Sequence, residues 1–117
     1  MTEPTRIYHN PRCSKSRQAL ALLEEHGVVP EIIRYLETPP TAAELADLLD
    51  KLGLQPRDLM RQKEAEYKEL GLDNPELSND ALIAAMVAHP KLIERPIVVK
   101  GSKAALGRPP ESVLTLL

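Results

Sequence analysis

A chain of 117 residues is within the usual size range of one domain and buries about two-thirds of its unfolded surface, so we predict a single domain over residues 1–117. Aliphatic side chains must form the core because Phe and Trp are absent. No apolar run reaches the ~18 residues of a membrane span, and the N-terminus does not follow a signal-peptide layout, so we expect a cytoplasmic protein without membrane contacts. The net charge of -2 is unevenly spread, with +4 in each of residues 4–23 and 95–110 and -8 in residues 24–94, a distribution that favours a small anionic ligand over nucleic acid.

The first elements alternate between strand and helix. Residues 6–8 form a short β-prone segment, and the turn-rich residues 9–12 follow it. Apolar positions at helical spacing predict a helix from Ser14 to a stop at Gly27, and residues 31–36 predict a second strand. A strand-helix-strand connection of this length requires parallel strands and a right-handed crossover.

The middle of the chain is predicted to be largely helical. A capping box in residues 41–44 begins a helix that ends at Gly53. Pro56 is suited to open a short helix that contains residues 59–61, and a further helix is capped within residues 78–79. These elements lie between the second and third predicted strands.

The C-terminal segment returns to β structure. Residues 96–99 and 104–106 predict a β-hairpin that turns at Gly101, and Pro109 and Pro110 open a last helix. The order of elements predicts an α/β fold of the thioredoxin-like type, a mixed sheet with a helical insertion.

The lone cysteine, Cys13, lies where the first loop meets the first helix. Unpaired backbone N–H groups and the helix dipole stabilise a thiolate there, and lowering a thiol pKa from about 8.5 by about two units requires ~2.7 kcal/mol. Arg12, Lys15 and Arg17 are candidates to contribute, and His9 is a further candidate if it is protonated. The alternative is a buried, inert cysteine, but the polar and basic surroundings argue against burial.

Two other cysteine motifs are absent. A phosphatase loop requires Cys-x5-Arg, but Ala19 stands at the arginine position, and a dithiol oxidoreductase requires Cys-x-x-Cys, but Ser16 replaces the second cysteine. An external thiol must therefore complete any redox cycle. One cysteine also excludes an internal disulfide and a multi-thiolate metal site, and we expect no metal and no tightly bound cofactor.

Six segments resemble the glutaredoxin-dependent arsenate reductase (ArsC-like) family, and in order and spacing they cover nearly the whole chain. They are residues 8–17 (YHNPRCSKSR), 35–40 (YLETPP), 59–63 (LMRQK), 89–90 (HP), 94–99 (ERPIVV) and 107–110 (GRPP).

The resemblance implies an oxidoreductase of arsenic detoxification that reduces arsenate to arsenite. It implies a thioredoxin-like fold, a nucleophilic Cys13 and three oxyanion-binding arginines, Arg61, Arg95 and Arg108. It also implies a cis peptide before Pro96, glutathione as co-substrate and glutaredoxin as partner. Planar guanidinium groups suit this role because they donate two parallel hydrogen bonds to an oxyanion.

Two alternatives remain open. The chain resembles a short housekeeping branch of the family, because it ends soon after Leu114 and carries Ser14 and Lys15 directly after the cysteine. For such a branch the substrate is either arsenate, another oxyanion or a glutathionylated thiol. The same superfamily contains redox regulators that bind RNA polymerase. Those sensors use Cys-x-x-Cys, and Ser16 stands in place of the second cysteine. The three arginines named above indicate that an anion-binding site is retained, which favours the reductase over the regulator.

Overall fold

The computed structural model describes residues 4–94 and 96–117. They form two compact units, which we call the sheet unit (residues 4–38 and 96–117) and the helical unit (Pro39–Glu94). The assignment of residues 1–117 to a single domain stays a prediction. No helix within the described residues is both long enough and apolar enough to span a membrane.

The sheet unit contains a four-stranded mixed sheet in the order β2-β1-β3-β4. Strand β1 pairs parallel to β2 and antiparallel to β3, and β3 forms a hairpin with β4 that turns at Gly101, whose φ is 61°. The α/β class and the mixed sheet are therefore confirmed. The strands are β1 Thr5–Tyr8, β2 Glu31–Ile33, β3 Ile97–Lys100 and β4 Lys103–Leu106.

Strand β2 is shorter than the predicted segment of residues 31–36. It ends at Ile33, because the carbonyl oxygen of Arg34 accepts hydrogen bonds from the backbone N–H groups of Glu37 and Thr38, both at 2.9 Å. These bonds close a turn, and a turn cannot continue the strand.

One long helix, α1 (Ser14–Glu25), packs on the C-terminal segment of the sheet unit. That segment, Pro110–Leu116, is a 3-10 helix, as expected in position but tighter than an α-helix. The fully buried side chains of Ile7, Leu23 and Val113 show how the strands, α1 and the 3-10 helix share one aliphatic core.

The helical unit confirms the predicted helical insertion between β2 and β3. Thr41 and Glu44 form the predicted capping box, the first helix ends at Gly53 with φ 68°, and Ser78 caps the last α-helix. The α-helices are α2 Ala42–Leu52, α3 Pro56–Leu59, α4 Ala65–Glu69 and α5 Asn79–Ala88, and a 3-10 helix covers Pro90–Leu92.

The helix that opens at Pro56 is shorter than predicted, and its extension through residues 60–61 is wrong. It ends at Leu59, and Met60 adopts an extended conformation that forms an antiparallel bridge with Ile93. The N–H of Glu94 donates to the oxygen of Leu59 at 2.7 Å, so extended pairing replaces the helical hydrogen bonds here.

Gly107 is packed too tightly to carry a side chain. Its N–H donates to the oxygen of Pro96 at 2.8 Å, and an added Cβ would lie 2.5 Å from Cγ of Pro96. Only glycine therefore fits directly before Arg108.

Candidate active site

Cys13 is the N-cap residue of α1. Its N–H donates to the oxygen of Asn10 at 3.0 Å, and its own oxygen accepts from the N–H of Arg17 at 3.0 Å. The first turn of α1 carries no acidic residue, so no carboxylate of that turn competes for the N–H groups that lack helical acceptors. The side chain is 9% exposed, and the expectation of an unburied thiol is wrong, although its surroundings are charged.

The guanidinium group of Arg108 reaches the cysteine. Its Nη2 lies 4.0 Å from Sγ of Cys13, across a separation of 95 positions in sequence. The packing of α1 against the C-terminal 3-10 helix brings these residues together. This contact between Arg108 and Cys13 joins the basic segments near the two ends of the chain within the sheet unit. A guanidinium group at this distance stabilises a thiolate relative to a thiol.

A buried serine anchors the loop that precedes the cysteine. Oγ of Ser16 accepts a hydrogen bond from the N–H of Asn10 at 3.0 Å and lies 2.7 Å from Nδ1 of His9. Oδ1 of Asn10 accepts from the N–H of Arg12 at 3.0 Å. Since Ser16 is completely buried, these bonds tie the loop to α1.

The imidazole of His9 is neutral at pH 7. Burial lowers its pKa from 6.5, and the positive charges of Arg34 and then Arg17 lower it further. We assign the hydroxyl proton of Ser16 to Nδ1 of His9, because the serine oxygen already accepts from the backbone. The lowered pKa of His9 therefore argues against a protonated imidazole as a source of positive charge for the thiolate near neutral pH.

The sequence pattern predicts no role for Ser16 beyond standing where a second cysteine is missing. The signal that identifies it is its helical spacing, because Ser16, Ala19 and Leu23 are the buried residues of α1. A hydroxyl on the apolar face of a helix needs a polar partner, and the turn-rich loop before the helix supplies two.

Replacing Ser16 by alanine is expected to lower the free energy of unfolding by about 1–3 kcal/mol, because the N–H of Asn10 and Nδ1 of His9 lose a buried partner. Urea unfolding measures the change. Ser14→Ala is the matched control, since Ser14 is exposed in the same helix and its loss should cost less than about 0.5 kcal/mol. Equal effects of the two substitutions would contradict the anchoring role.

Of the other two predicted arginines, one belongs to the helical unit and the other is not described. Arg61 belongs to the helical unit, where Nη1 lies 2.6 Å from Oε1 of Glu64 and Nε lies 3.8 Å from Oε1 of Glu94. Arg95, and with it the predicted cis peptide before Pro96, lies outside the described residues. A cis peptide is present between Arg108 and Pro109.

Comparison with known proteins identifies the family. The model of the ArsC family matches residues 8–116, a range that includes Cys13 and all three predicted arginines. The chain belongs to the ArsC family. The predicted family is thus confirmed, and the extent of the match shows that the shared sequence reaches from the first strand to the C-terminal 3-10 helix.

Individual relatives agree with this assignment to the ArsC family. The arsenate reductase of Neisseria meningitidis is 58% identical, over 96% of this chain and 97% of that protein. YfgD of Escherichia coli K12, described as uncharacterized, is 61% identical over 100% of this chain and 99% of that protein. The structure of the arsenate reductase from Vibrio cholerae, 57% identical, superposes with a TM-score of 0.97 and covers both chains completely. The thioredoxin-like fold is therefore confirmed.

Proposed function

We propose that this chain is an oxidoreductase that reduces arsenate to arsenite, with Cys13 as the nucleophile and with glutathione and glutaredoxin as reductants. The approach of Arg108 to Cys13 carries the proposal, because it places a cation beside the one thiol of the chain. A thiolate attacking an anion needs such a cation to offset the mutual repulsion. The relatives named arsenate reductase, at 58% and 57% identity, support arsenate as the substrate.

The reaction forms a sulfur–arsenic bond and breaks an arsenic–oxygen bond. The Cys13 thiolate attacks arsenic(V), and one oxygen of arsenate takes up protons and leaves as water. Glutathione then attacks arsenic and displaces a second oxygen as water. The glutaredoxin thiol attacks the glutathione sulfur to give a mixed disulfide, and the electron pair of the broken glutathione–arsenic bond reduces arsenic(V) to arsenic(III). Water then hydrolyses the remaining sulfur–arsenic bond, which releases arsenite and restores Cys13.

The external reductants follow from the single cysteine of the chain. Ser16, three positions after Cys13, has no thiol with which to displace an arsenic adduct or to close a disulfide. Arg108, together with Arg61 and Arg95, is proposed to bind the oxyanion by charge-assisted hydrogen bonds. We place the reaction in the cytoplasm, because that compartment keeps glutathione and protein thiols reduced.

A coupled assay tests this proposal. We expect arsenate-dependent oxidation of NADPH when the protein is mixed with glutathione, glutathione reductase and glutaredoxin, and at least about a tenfold lower rate when glutaredoxin is omitted. A mixture without arsenate is the control. Absence of arsenate-dependent turnover would overturn the proposal, and equal turnover without glutaredoxin would overturn the assignment of the reductant.

A further inference from the structure

The Arg61 guanidinium already binds an anion of the protein itself. Oε1 of Glu64 lies 2.6 Å from Nη1, a short charge-assisted contact, and Oε1 of Glu94 lies 3.8 Å from Nε. The three side chains are 22–28% exposed, so each is partly withdrawn from water. Two carboxylates therefore face two of the three guanidinium nitrogens.

The backbone holds these groups in place. The N–H of Arg61 donates to the oxygen of Leu92 at 2.7 Å, and the bridge between Met60 and Ile93 lies beside it. Glu64 is the N-cap residue of α4, and its N–H donates to the oxygen of Arg61 at 3.2 Å. Because the chain is ordered on both sides of the ion pair, little backbone entropy is lost when the pair forms.

We infer that Glu64 acts as an internal competitor at Arg61, so that a substrate oxyanion binds this guanidinium only when the glutamate carboxylate leaves Nη1. The inference rests on the proposed function, in which Arg61 binds the oxyanion. A carboxylate and an arsenate oxygen require the same N–H donors, so one displaces the other at Nη1. Glu64 thereby raises the KM for the substrate oxyanion.

The test compares Glu64→Gln with the parent enzyme in the coupled assay. Glutamine keeps the size of the side chain and removes its charge, so the KM for arsenate is expected to fall about two- to fivefold while kcat stays nearly unchanged. Glu69→Gln is the matched control, because Glu69 is an exposed glutamate at the other end of α4. An unchanged KM in Glu64→Gln, or an equal fall in Glu69→Gln, would overturn the inference.

A binding titration separates this inference from the proposed function. Inorganic arsenate is titrated calorimetrically into Cys13→Ser and into Cys13→Ser with Glu64→Gln, neither of which can turn over. The second protein is expected to bind arsenate about two- to fivefold more tightly, and adding Arg61→Ala should abolish that gain. Equal affinities, or a gain that survives Arg61→Ala, would overturn the inference, whereas lack of turnover by the parent enzyme would overturn only the proposed function.

Discussion

Replacing Cys13 by serine is expected to lower arsenate turnover by at least about 10³-fold. A serine hydroxyl stays protonated at neutral pH and cannot attack arsenic(V) as a thiolate does, and the chain has no second thiol to take over. The measurement is arsenate-dependent NADPH oxidation in the coupled assay with saturating glutathione and glutaredoxin.

Two further measurements guard against a trivial loss of activity in this variant. Serine is close to cysteine in size, so thermal unfolding should occur within a few degrees of the parent enzyme although the position is buried. Iodoacetamide should label the parent protein and leave Cys13→Ser unlabelled. A folded variant that keeps more than about a tenth of the parental turnover would remove Cys13 from the mechanism.

Replacing Arg108 by glutamine is expected to lower kcat/KM for arsenate by about 10- to 100-fold. The substitution removes the cation whose Nη2 lies 4.0 Å from Sγ of Cys13. The expected loss of kcat/KM is smaller than the largest losses known from removing a preorganised hydrogen-bond donor, because Arg108 is exposed and water screens part of its charge. The same variant should react more slowly with iodoacetamide at pH 7, since less of its Cys13 is thiolate.

Arg12→Gln is the matched control for Arg108→Gln. Arg12 is also exposed and directly precedes Cys13 in the chain, so its replacement changes the net charge equally and leaves the Arg108 contact in place. A small change in kcat/KM is expected for it. If Arg12→Gln lowers activity and alkylation as much as Arg108→Gln does, the general positive field matters and the specific contact does not.

Much of the fold is readable from local signals in the sequence. The capping box of Thr41 and Glu44 and the positive-φ stop at Gly53 fix α2 through bonds within a few residues. The hairpin turn is marked by Gly101, whose φ is positive. The charge pattern locates two basic segments, and Arg108 and Cys13, one from each segment, lie 4.0 Å apart.

Features that depend on distant partners could not be predicted in this way. Met60 leaves the helical pattern because it bridges to Ile93, and no signal next to Met60 encodes that partner. The burial of Cys13 follows from how the loop packs, whereas its neighbours in sequence are polar. The Arg61 to Glu64 pair has the spacing of many exposed helical pairs, so its meaning appears only once Arg61 is considered as an anion ligand.

The hydroxyl of Ser16 has a consequence for how this enzyme could acquire a resolving thiol. Ser16 stands where dithiol oxidoreductases carry the second cysteine of Cys-x-x-Cys. Here its side chain is completely buried and is hydrogen-bonded to the N–H of Asn10 and to Nδ1 of His9. Sulfur accepts hydrogen bonds weakly, so a cysteine introduced there would loosen the loop that presents the attacking sulfur. Under the proposed function, a resolving thiol at position 16 would therefore remove the hydrogen bonds that hold this loop to α1, and the loop would need another anchor.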